Sequence, residues 1–476
     1  PEDLHHLRRS LTVTDAKAYE GVSFWLETAG EPLCPRPALS GEQTVDVAIL
    51  GGGYSGLWAA YYLLKAEPSL EVAIVEAETC GFGASGRNGS WCSSRFPVNP
   101  DVMARRYGPD QARAVIRAMH HTVAEVGKVC EAENIDAEFR INGILSLARG
   151  EAQLPALRAS HAAYASLGLG EENRLLSAEE ARERVRVTDI RGGIYTPFSG
   201  YLHPAKLARG LASVVERLGA TIFEGSPVRS VLQGQSAGLV TDHGRLKARR
   251  AVIVAGEAYL PKVGGFGRAI APMSSAIVLT EPLSPAQWDE IGWAGGEGLG
   301  SQAYTVDYLT RTLDGRILYG SRGARYLFGS ATEGDDGDVE AIQKFMHRRL
   351  REWFPVLEDV AFSHGWSGHL GVTRDWTPTV SFEPDRKLGR IYGYTGRGVS
   401  TSNLCARLLT DLMLERDSAL HRLPIAQHRS PDWEPEPLRW MGIRYVQDAF
   451  RRMDEARDAG RAAPADAPVA LRLSAQ

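Results

Sequence analysis

A chain of 476 residues, 43% hydrophobic and 24% charged, is long enough for two or more domains with substantial cores and has an ordinary globular composition. Its formal net charge of −4 gives no electrostatic reason to expect nucleic acid or an acidic lipid surface as a partner. Charges interrupt the apolar runs well before the roughly 18 residues of a membrane-spanning helix, so no membrane span is expected.

The first third of the chain predicts a βαβ unit behind a polar lead. Residues 1–43 form that lead, whose segment AYEGVSFWLETAG is expected to pack on the main body. Residues 45–50 have the pattern of a buried strand, 54–66 that of a helix with small residues near its start, and 71–76 that of a second strand. Helical patterns follow around 101–133 and 151–167.

The remaining elements alternate between helices and strands. They are a helix over 204–218, a buried strand running into a glycine turn over 249–259, alternating strands from about 270 to 330, and a return of alternation at 361–382. Asp314-Gly315 is a hairpin signal within the first of these strand regions. GRIYGYTGRGVSTSNLCARLLTDLML predicts a strand, a glycine turn and a long helix. A charged helix over 438–460 and a loose tail over 462–476 are expected to end the chain.

The segment GGGYSG matches G-x-G-x-x-G between the first strand and the first helix. Gly51 would permit the tight turn, Gly53 would let the backbone meet a pyrophosphate, and Gly56 would let helix and strand pack closely. The helix that begins with Tyr54-Ser55 would present free N–H groups to that pyrophosphate. Glu76, 20 residues beyond Gly56, would accept hydrogen bonds from an adenosine ribose. This predicts a dinucleotide site, although the motif alone does not distinguish NAD from FAD.

A second glycine-rich segment, GFGASGRNGS over 81–90, follows the second strand closely. Preceded by Glu76-Ala77, it resembles the flavoprotein superfamily of D-amino-acid oxidase, glycine oxidase and sarcosine oxidase. It is most similar to the γ-glutamylputrescine oxidoreductase-like branch, whose recurring form is GASGRNGG; here Ser90 replaces the last glycine. The resemblance implies that this loop runs along the ribityl chain and the isoalloxazine ring of FAD. The residues it assigns to the cofactor are Gly83, Ala84, Ser85, Arg87, Asn88, Gly89 and Ser90.

The resemblance extends over roughly residues 19–440 and assigns further cofactor contacts. SPVRSV carries Val228, whose backbone would contact adenine, and VIVAGEAY brings Ala255 and Gly256 near the cofactor. GYTGRGVSTS resembles the last flavin motif, in which a helix beginning near Thr401 would point at the flavin N1/C2=O edge and stabilise negative charge there. The turn before that helix is Gly396, Arg397, Gly398, Val399 and Ser400. Taken alone, this last segment would sooner be interpreted as a capped surface helix; the other motifs favour the flavin interpretation.

Two departures from sarcosine-oxidase-type members limit how far their chemistry transfers. The segment WSGHLGVTRDWTP has no cysteine for a covalent flavin link, so the FAD is expected to be non-covalent. The strand RILYG lacks the lysine that those members place over the flavin for oxygen activation.

The substrate side of the site has candidates with plain alternatives. His203 and His369 could each orient or deprotonate a substrate ammonium, although a lone histidine is more often a packing residue. Trp366 and Trp376 could wall an amine pocket or could simply pack in the core. Arg397 could hold a substrate carboxylate or face the flavin.

Two further arginines and the cysteines are not expected to take part in catalysis. Arg322 and Arg325 in GSRGARY have the pattern of solvated hairpin charges. The cysteines show no metal-site spacing and indicate reduced thiols in a cytoplasmic protein; none is marked as a nucleophile. They are Cys34, Cys80, Cys92, Cys130 and Cys405.

These observations predict an α/β fold with a discontinuous, Rossmann-like FAD-binding domain and a substrate domain built on a mixed or antiparallel sheet. The expected boundaries are 1–43 for the lead; 44–100, 190–265 and 361–425 for the FAD domain; 101–189 and 266–360 for the substrate domain; and 426–476 for a terminal helix and loose tail.

As the resemblance implies, the protein would oxidise the C–N bond of a small primary or secondary amine or amino acid by hydride transfer to flavin N5. The imine would hydrolyse, and O2 would be reduced to hydrogen peroxide. Two alternatives stay open: a dehydrogenase of the same fold with a protein or quinone acceptor, and a flavin-binding protein without turnover.

Overall fold

The protein's structure, a computed structural model, describes residues 19, 21–30, 35–322, 325–333 and 336–474. In chain order its strands are β1 (Gly41–Leu50), β2 (Val72–Val75), β3 (Trp91–Cys92), β4 (Arg140–Ile141), β5 (Ile144–Arg149), β6 (Arg174–Leu176), β7 (Ile190–Thr196), β8 (Gly200–Tyr201), β9 (Thr221–Phe223), β10 (Val228–Leu232), β11 (Gly238–Thr241), β12 (Gly244–Val254), β13 (Ala271–Thr280), β14 (Gly298–Ser301), β15 (Asp307–Arg311), β16 (Ile317–Ser321), β17 (Phe362–Val372), β18 (Thr379–Glu383) and β19 (Leu388–Tyr392). Its α-helices are α1 (Phe24–Glu27), α2 (Tyr54–Ala66), α3 (Pro100–Tyr107), α4 (Pro109–Ala132), α5 (Leu154–Ala165), α6 (Ala178–Arg184), α7 (Pro204–Arg217), α8 (Pro285–Ile291), α9 (Asp336–Trp353), α10 (Gly398–Met413), α11 (Leu438–Asp458) and α12 (Ala467–Leu473).

The first sheet has a parallel centre. Its strands follow the order β10-β11-β12-β1-β2-β9, and β19 pairs with β12 and β18. Strands β9, β2, β1, β12 and β19 run parallel to one another, and their apolar runs fit a sheet that is buried on both faces. Ile49 packs towards the core that contains α2, α7 and α10, whereas Ala48 and Leu50 pack on the other face with Leu239 and Leu246. This sheet confirms the predicted Rossmann-like half of the fold.

The second sheet is mainly antiparallel, in the order β17-β13-β16-β15-β14-β5-β7-β6, with one parallel pair between β14 and β5. Its alternating side chains serve two environments, as the period of a strand requires. In β5, Leu145 and Leu147 belong to the core that contains α9, whereas Ser146 between them lines a large cavity. In β13, Val278 packs in the same core while Ile277 lines the cavity.

The pairing of two strands differs from the expected domain boundaries. Strand β7 pairs with β5 and β6, and β17 pairs with β13, so both belong to the second sheet although residues 190–265 and 361–425 were assigned to the cofactor domain. Helix α4 was expected in the substrate domain, but Met119 and Val123 pack with Leu404 of α10 in the core beside the first sheet. A strand's own pattern does not reveal which distant strand it will pair with.

Both ends of the described chain pack on the body. Ser23 Oγ donates to the carbonyl of Gly86 at 2.7 Å and Trp25 Nε1 to that of Asn88 at 2.8 Å, so the lead supports the second glycine-rich loop. The predicted loose tail is wrong for its described part, because residues 467–473 form α12. Two buried alanines of α12 and an ion pair between Asp466 and α11 hold it there. Among the described helices, none has the length and apolarity needed to cross a bilayer.

Candidate active site

A large cavity of about 1390 Å³ is lined by residues of both sheets. It starts at Gly51 and Val228, beside the carboxyl end of β1, where open α/β sheets bind their ligands. It continues to Ser146 and His369 of the second sheet. The volume exceeds the upper end of about 1,000 Å³ that is usual for small-ligand pockets, so it can hold an extended cofactor together with a substrate.

The glycine turn after β1 has the geometry predicted for it. Gly51 adopts φ +103°, and a Cβ on it would lie 2.7 Å from the carbonyl oxygen of Ala255. A Cβ on Gly56 would overlap the carbonyl oxygen of Gly51, so α2 could not approach β1 with a larger residue there. Gly53 lines the cavity directly. The turn therefore exposes backbone to the cavity at Gly51 and Gly53, while Gly51 and Gly56 have no room for a side chain on the protein side.

The start of α2 is completed by residues from elsewhere in the chain. Gly53 is the N-cap and has no side chain, so the N–H of Tyr54 donates instead to Ser85 Oγ at 2.9 Å. Glu76 accepts from the N–H groups of Gly52 at 2.6 Å and Glu78 at 3.0 Å. Burial raises the pKa of Glu76 to about 7, and these N–H donors oppose that rise. Each carboxylate oxygen keeps a lone pair for a further donor such as a ribose hydroxyl.

The loop over 81–90 is rigidified by its own polar side chains. Asn88 Nδ2 donates to the carbonyl of Ala84 at 3.1 Å, and Asn88 Oδ1 accepts from the N–H of Ser90 at 2.9 Å. Ser90 has φ 74°, a conformation that favours glycine, and its Oγ donates to the carbonyl of Leu202 at 2.6 Å. The positive φ at this position therefore explains why the related motif has a glycine where this chain has Ser90.

Arg87 lies along the wall between this loop and β17. Its Nε donates to the carbonyl of Phe82 at 2.8 Å, and its guanidinium stacks on the Phe82 ring at 4.2 Å. Trp366 Nε1 donates to the carbonyl of Arg87 at 2.9 Å, and the Trp366 ring packs in a buried cluster with Trp25. Trp366 is not among the cavity-lining residues, so its assignment to the amine pocket is corrected: it supports the loop from behind.

His203 is the second catalytic candidate that the structure moves away from the cavity. It is the N-cap of α7, where its Nδ1 accepts from the N–H of Lys206 at 3.2 Å. Its Nε2 lies 3.0 Å from Thr28 Oγ1, and its ring packs against Trp25. Both ring nitrogens are therefore used to hold α7 and the lead, which corrects the catalytic assignment.

His369 is the predicted histidine that does line the cavity. It lies on β17 beside Ser367 and Gly368, and a Cβ on Gly368 would lie 3.2 Å from Cβ of Arg87. Burial, reinforced by Arg87 and Lys262, lowers the pKa of His369 to about 4. The imidazole is therefore neutral near neutral pH.

Glu257, which sequence reasoning missed, ties three elements together at the cavity wall. It accepts from the N–H groups of Gly371 at 3.0 Å and Gly393 at 2.6 Å, at the ends of β17 and β19. Burial raises its pKa to about 7, while these N–H groups lower it. Its position directly after the glycine turn that follows β12 was the available signal.

The turn before α10 combines strain with positive charge. Helix α10 begins at Gly398, three residues before the expected start near Thr401, and Arg397 is its N-cap. Arg397 Nη1 donates to the carbonyl of Phe96, and burial together with neighbouring arginines lowers its pKa to about 9. Thr395 has φ 51°, a genuine outlier for a β-branched residue, and its buried Oγ1 has no hydrogen-bond partner among the described residues. Such strain is typical of functional sites.

Two more arginines, Arg322 and Arg95, line the same cavity. The interpretation of Arg322 as a solvated hairpin charge is wrong: burial lowers its pKa, and its Nη2 donates to the carbonyl of Thr395 at 2.8 Å. Arg325, by contrast, is exposed. Arg95 was not predicted; its Nη2 donates to Ser146 Oγ at 2.6 Å.

Most of the predicted cofactor residues meet at the cavity. Those that line it are Gly51, Gly53, Tyr54, Ser55, Glu76, Ala77, Gly83, Ala84, Ser85, Arg87, Asn88, Gly89, Val228, Ala255, Gly256, Gly396, Arg397, Gly398 and Val399. Gly56, Ser90 and Ser400 lie behind the wall; Ser400 Oγ donates to the carbonyl of Ser93 at 2.5 Å. Trp376 also lines the cavity.

The described cysteines are buried and unpaired, and no described residues form a metal-ligand cluster. Burial raises the pKa of the Cys92 thiol, which agrees with its interpretation as unreactive. Cys34 lies outside the described residues.

Comparison with protein families gives a match over residues 46–412 to the DAO family, described as FAD dependent oxidoreductase. The chain belongs to the DAO family. FAD is therefore its cofactor, as predicted. γ-Glutamylputrescine oxidoreductase of Escherichia coli (strain K12) is 29% identical over 410 residues, covering 85% of this chain and 92% of that protein. Glycine oxidase of Geobacillus kaustophilus is 25% identical over 395 residues, covering 81% and 97%.

Solved structures support the DAO-type fold. Glycine oxidase from Geobacillus kaustophilus superimposes with a TM-score of 0.67 at 22% identity, covering 82% of this chain and all (100%) of that one. L-proline dehydrogenase from P. horikoshii gives a TM-score of 0.64 at 20% identity, covering 82% and 96%.

The cavity of this DAO-family enzyme fits FAD by its own features. The backbone of Gly53 faces the cavity without a side chain, and the uncapped N-terminus of α10 faces the other end. Between them lies the loop of small residues over 83–89. One end therefore suits a pyrophosphate, the middle a close-packed chain, and the far end an anionic ring edge.

Proposed function

We propose that the protein holds FAD non-covalently and oxidises the C–N bond of a small amine or amino acid. The observation that carries this proposal is the continuity of the cavity from the open backbone of Gly53 to His369 and Arg397. Gly51, Gly53 and Glu76 would hold the adenosine and pyrophosphate half, and the loop over 83–89 would hold the flavin half. Bound FAD supplies the hydride acceptor.

His369 would remove the proton from the substrate ammonium. Its neutral imidazole lines the cavity, and its ring makes no hydrogen bond with another described residue that would compete for the proton. Deprotonation frees the nitrogen lone pair that the loss of hydride from the adjacent carbon requires. The resulting imine would hydrolyse to a carbonyl product.

Arg397 and the first turn of α10 would stabilise negative charge at the flavin edge. Arg397 is fixed by its hydrogen bond to Phe96, and no side chain caps the helix that follows it. A guanidinium and a helix N-terminus that are already oriented need no rearrangement as charge develops.

We also propose O2 as the electron acceptor, with hydrogen peroxide as the product. The strand that carries a lysine in sarcosine-oxidase-type members has Ile317, Leu318 and Tyr319 here, all buried in apolar clusters. The oxygen reaction would therefore depend on cations elsewhere in the cavity.

The test combines an amine panel with a matched pair of histidine variants. FAD-loaded protein is mixed anaerobically with each amine, flavin bleaching is followed, and air is then admitted while peroxide is measured. Bleaching by at least one amine and release of peroxide are expected. Bleaching by no amine would contradict amine oxidation, and bleaching without peroxide in air would point to another acceptor.

His369→Asn should slow flavin reduction by about 10²- to 10⁴-fold, the range of general acid–base catalysis. The control is His364→Asn on the same strand, where the histidine is paired with Glu27 and does not line the cavity. Equal rates in the two variants would remove His369 from the proton transfer.

A further inference from the structure

Three guanidinium groups meet on one part of the cavity wall. Arg322 follows β16, Arg397 directly precedes α10, and Arg95 follows β3. Each donates to a neutral acceptor: the carbonyl of Thr395, the carbonyl of Phe96 and the hydroxyl of Ser146, respectively. Arg322 reaches Thr395, two residues before Arg397, and Arg397 reaches Phe96, the residue after Arg95. The three side chains therefore belong to one region of the wall, and the charges of Arg95 and Arg322 help to lower the pKa of Arg397.

No carboxylate of the described chain neutralises this group. Within the described residues, no Asp or Glu oxygen lies within 4.0 Å of a nitrogen of these three arginines, and the buried Nε of Arg95 has no hydrogen-bond partner. Arg36, by comparison, is paired with Glu216 and Glu224.

The buried acids on the cavity wall are engaged elsewhere. Glu257 accepts from the N–H groups of Gly371 and Gly393, and Asp307 accepts from the N–H and the hydroxyl of Ser301. Buried cations without counter-charge are unfavourable. We therefore expect the ligands of this cavity to carry anionic groups that pair with these arginines.

The number of positive charges indicates the number of anionic groups. In the function proposed above, Arg397 faces the flavin edge that becomes anionic on reduction. Arg95 and Arg322 then remain without a counter-charge. Arg95 donates a hydrogen bond to Ser146 of β5, and Arg322 donates one to Thr395 in the turn before α10. Because they are anchored to different elements, each of them can bind a separate carboxylate.

We propose that the substrate is an amine carrying two carboxylate groups, one bound by Arg322 and the other by Arg95. This rests on the proposed function for the amine, but the charge requirement belongs to the cavity itself. Helix α5 lines the cavity with the small residues Ala159, Ser160 and Ala163, which leaves room for a branched or extended acid.

The first measurement is independent of turnover. Glutarate and butyrate, unreactive acids with two and one carboxylates, are titrated into FAD-loaded protein, and binding is followed by calorimetry and by the flavin spectrum. Glutarate should bind at least about 10-fold more tightly, because it gains one further charge-assisted interaction. Equal affinities, or tighter binding of butyrate, would overturn the proposal whether or not any amine is oxidised.

The second measurement uses variants. Arg95→Met and Arg322→Met should each weaken glutarate binding by about 10- to 100-fold and bring it close to that of butyrate. Arg95→Lys and Arg322→Lys, which keep the charge, should recover part of the loss and serve where a methionine variant does not fold. The control is Arg158→Met on the exposed side of α5, which should bind glutarate as the unaltered protein does. Unchanged glutarate binding in the cavity variants would also overturn the proposal.

The third measurement separates this inference from the proposed function. Anaerobic flavin reduction is compared for butylamine, norvaline and glutamate, each amino acid in both enantiomers, and for their N-methyl derivatives. A glutamate form should reduce the flavin at least about 10-fold more efficiently than the others. Faster reduction by norvaline or butylamine would keep amine oxidation and reject the dicarboxylate. If no amine reduces the flavin but the preference for glutarate remains, the dicarboxylate site is kept and amine oxidation is rejected.

Discussion

Gly53 has no side chain, and this matters because the space beside its backbone is the cavity in which the pyrophosphate would lie. A Cβ there would be 3.1 Å from Ser85 Oγ, a tight but adjustable contact, whereas the bulk of a larger side chain would project into the cavity. Gly53→Val should therefore fold but bind no FAD, because the branched side chain would occupy the space of the pyrophosphate.

This is checked by the absorbance spectrum and the melting temperature of the purified variant. Gly442→Ala on α11 is the control, since a Cβ there meets nothing within 4 Å. A yellow Gly53→Val protein with normal FAD content would contradict the placement of the pyrophosphate.

His203 tests whether a buried histidine is catalytic or structural. Burial lowers its pKa to about 4, below the ordinary value of 6.5. Between pH 4 and pH 6.5 the unfolded chain binds a proton at His203 that the native protein does not bind. The contribution of His203 to the free energy of unfolding is therefore fully present above pH 6.5 and is lost as the pH falls towards 4. Asparagine also caps helices but does not titrate, so His203→Asn should remove this acid sensitivity.

Relative to the unaltered protein, the His203→Asn variant should gain up to about 3 kcal/mol in the free energy of unfolding as the pH falls through this window. Its rate of flavin reduction at neutral pH should be unchanged. The measurements are urea unfolding at several pH values and stopped-flow reduction. Slower flavin reduction, together with an unchanged pH dependence of the free energy of unfolding, would show that His203 acts in catalysis.

At the scale of elements, α11 holds a segment of the cavity wall although it lies outside the family match. Asp454 accepts from the N–H groups of Tyr304 at 2.9 Å and Thr305 at 2.7 Å, and Arg457 donates to the carbonyl of Gln302 at 3.0 Å. Gln302, Tyr304 and Val306 line the cavity. The segment over 302–306 therefore depends on a helix that is distant in sequence.

Asp454→Ala should expose the amides of Tyr304 and Thr305, because it removes both acceptors at once. Hydrogen–deuterium exchange in this segment is expected to accelerate by about 10-fold or more, the equivalent of one to two lost hydrogen bonds. Asp448→Ala is the matched control, since Asp448 pairs with Arg451 and Arg452 of its own helix. Exchange that is equally fast in both variants would show that α11 does not hold the segment.

The elements themselves differed in how well the sequence predicted them. The helix predicted over 54–66 is observed as Tyr54–Ala66, because its apolar period is sustained and its start follows a glycine turn. Helix α10 starts earlier than predicted, since Gly398 at its start gives no capping signal. Helices α6 and α8 were missed although each begins with a capping box, at Ser177 and Ser284. For these two the signal was present in the sequence.

For the whole molecule, the expected mode of cofactor binding is non-covalent. The segment over 366–378 has no cysteine, and Cys92, the cysteine that follows the flavin loop, does not line the cavity. Acid denaturation should therefore release intact FAD, and the mass of the denatured chain should match its sequence. A denatured band that keeps flavin fluorescence, or a mass increase equal to FAD, would show a covalent bond, with His369 the first candidate for its attachment.

The sequence by itself determined the features that depend on local backbone demands. The turn at Gly51, the helix that follows it and the acid at Glu76 were all predicted, since a strand, a tight turn and a helix N-terminus each require particular residues within a short span. The loop over 81–90 was assigned to the flavin by its resemblance to a motif of the flavoprotein superfamily. Local geometry is encoded locally.

Only the tertiary structure decided which side chains reach the cavity. Arg322 meets Thr395 across 73 residues, Arg95 meets Ser146 across 51, and Arg397 meets Phe96 across 301. The pattern of a charged hairpin is the same whether its arginine faces water or a cavity, and burial is decided by which distant strands and helices pack against it. The arginines that are proposed to select the substrate could therefore be recognised only after the chain had folded.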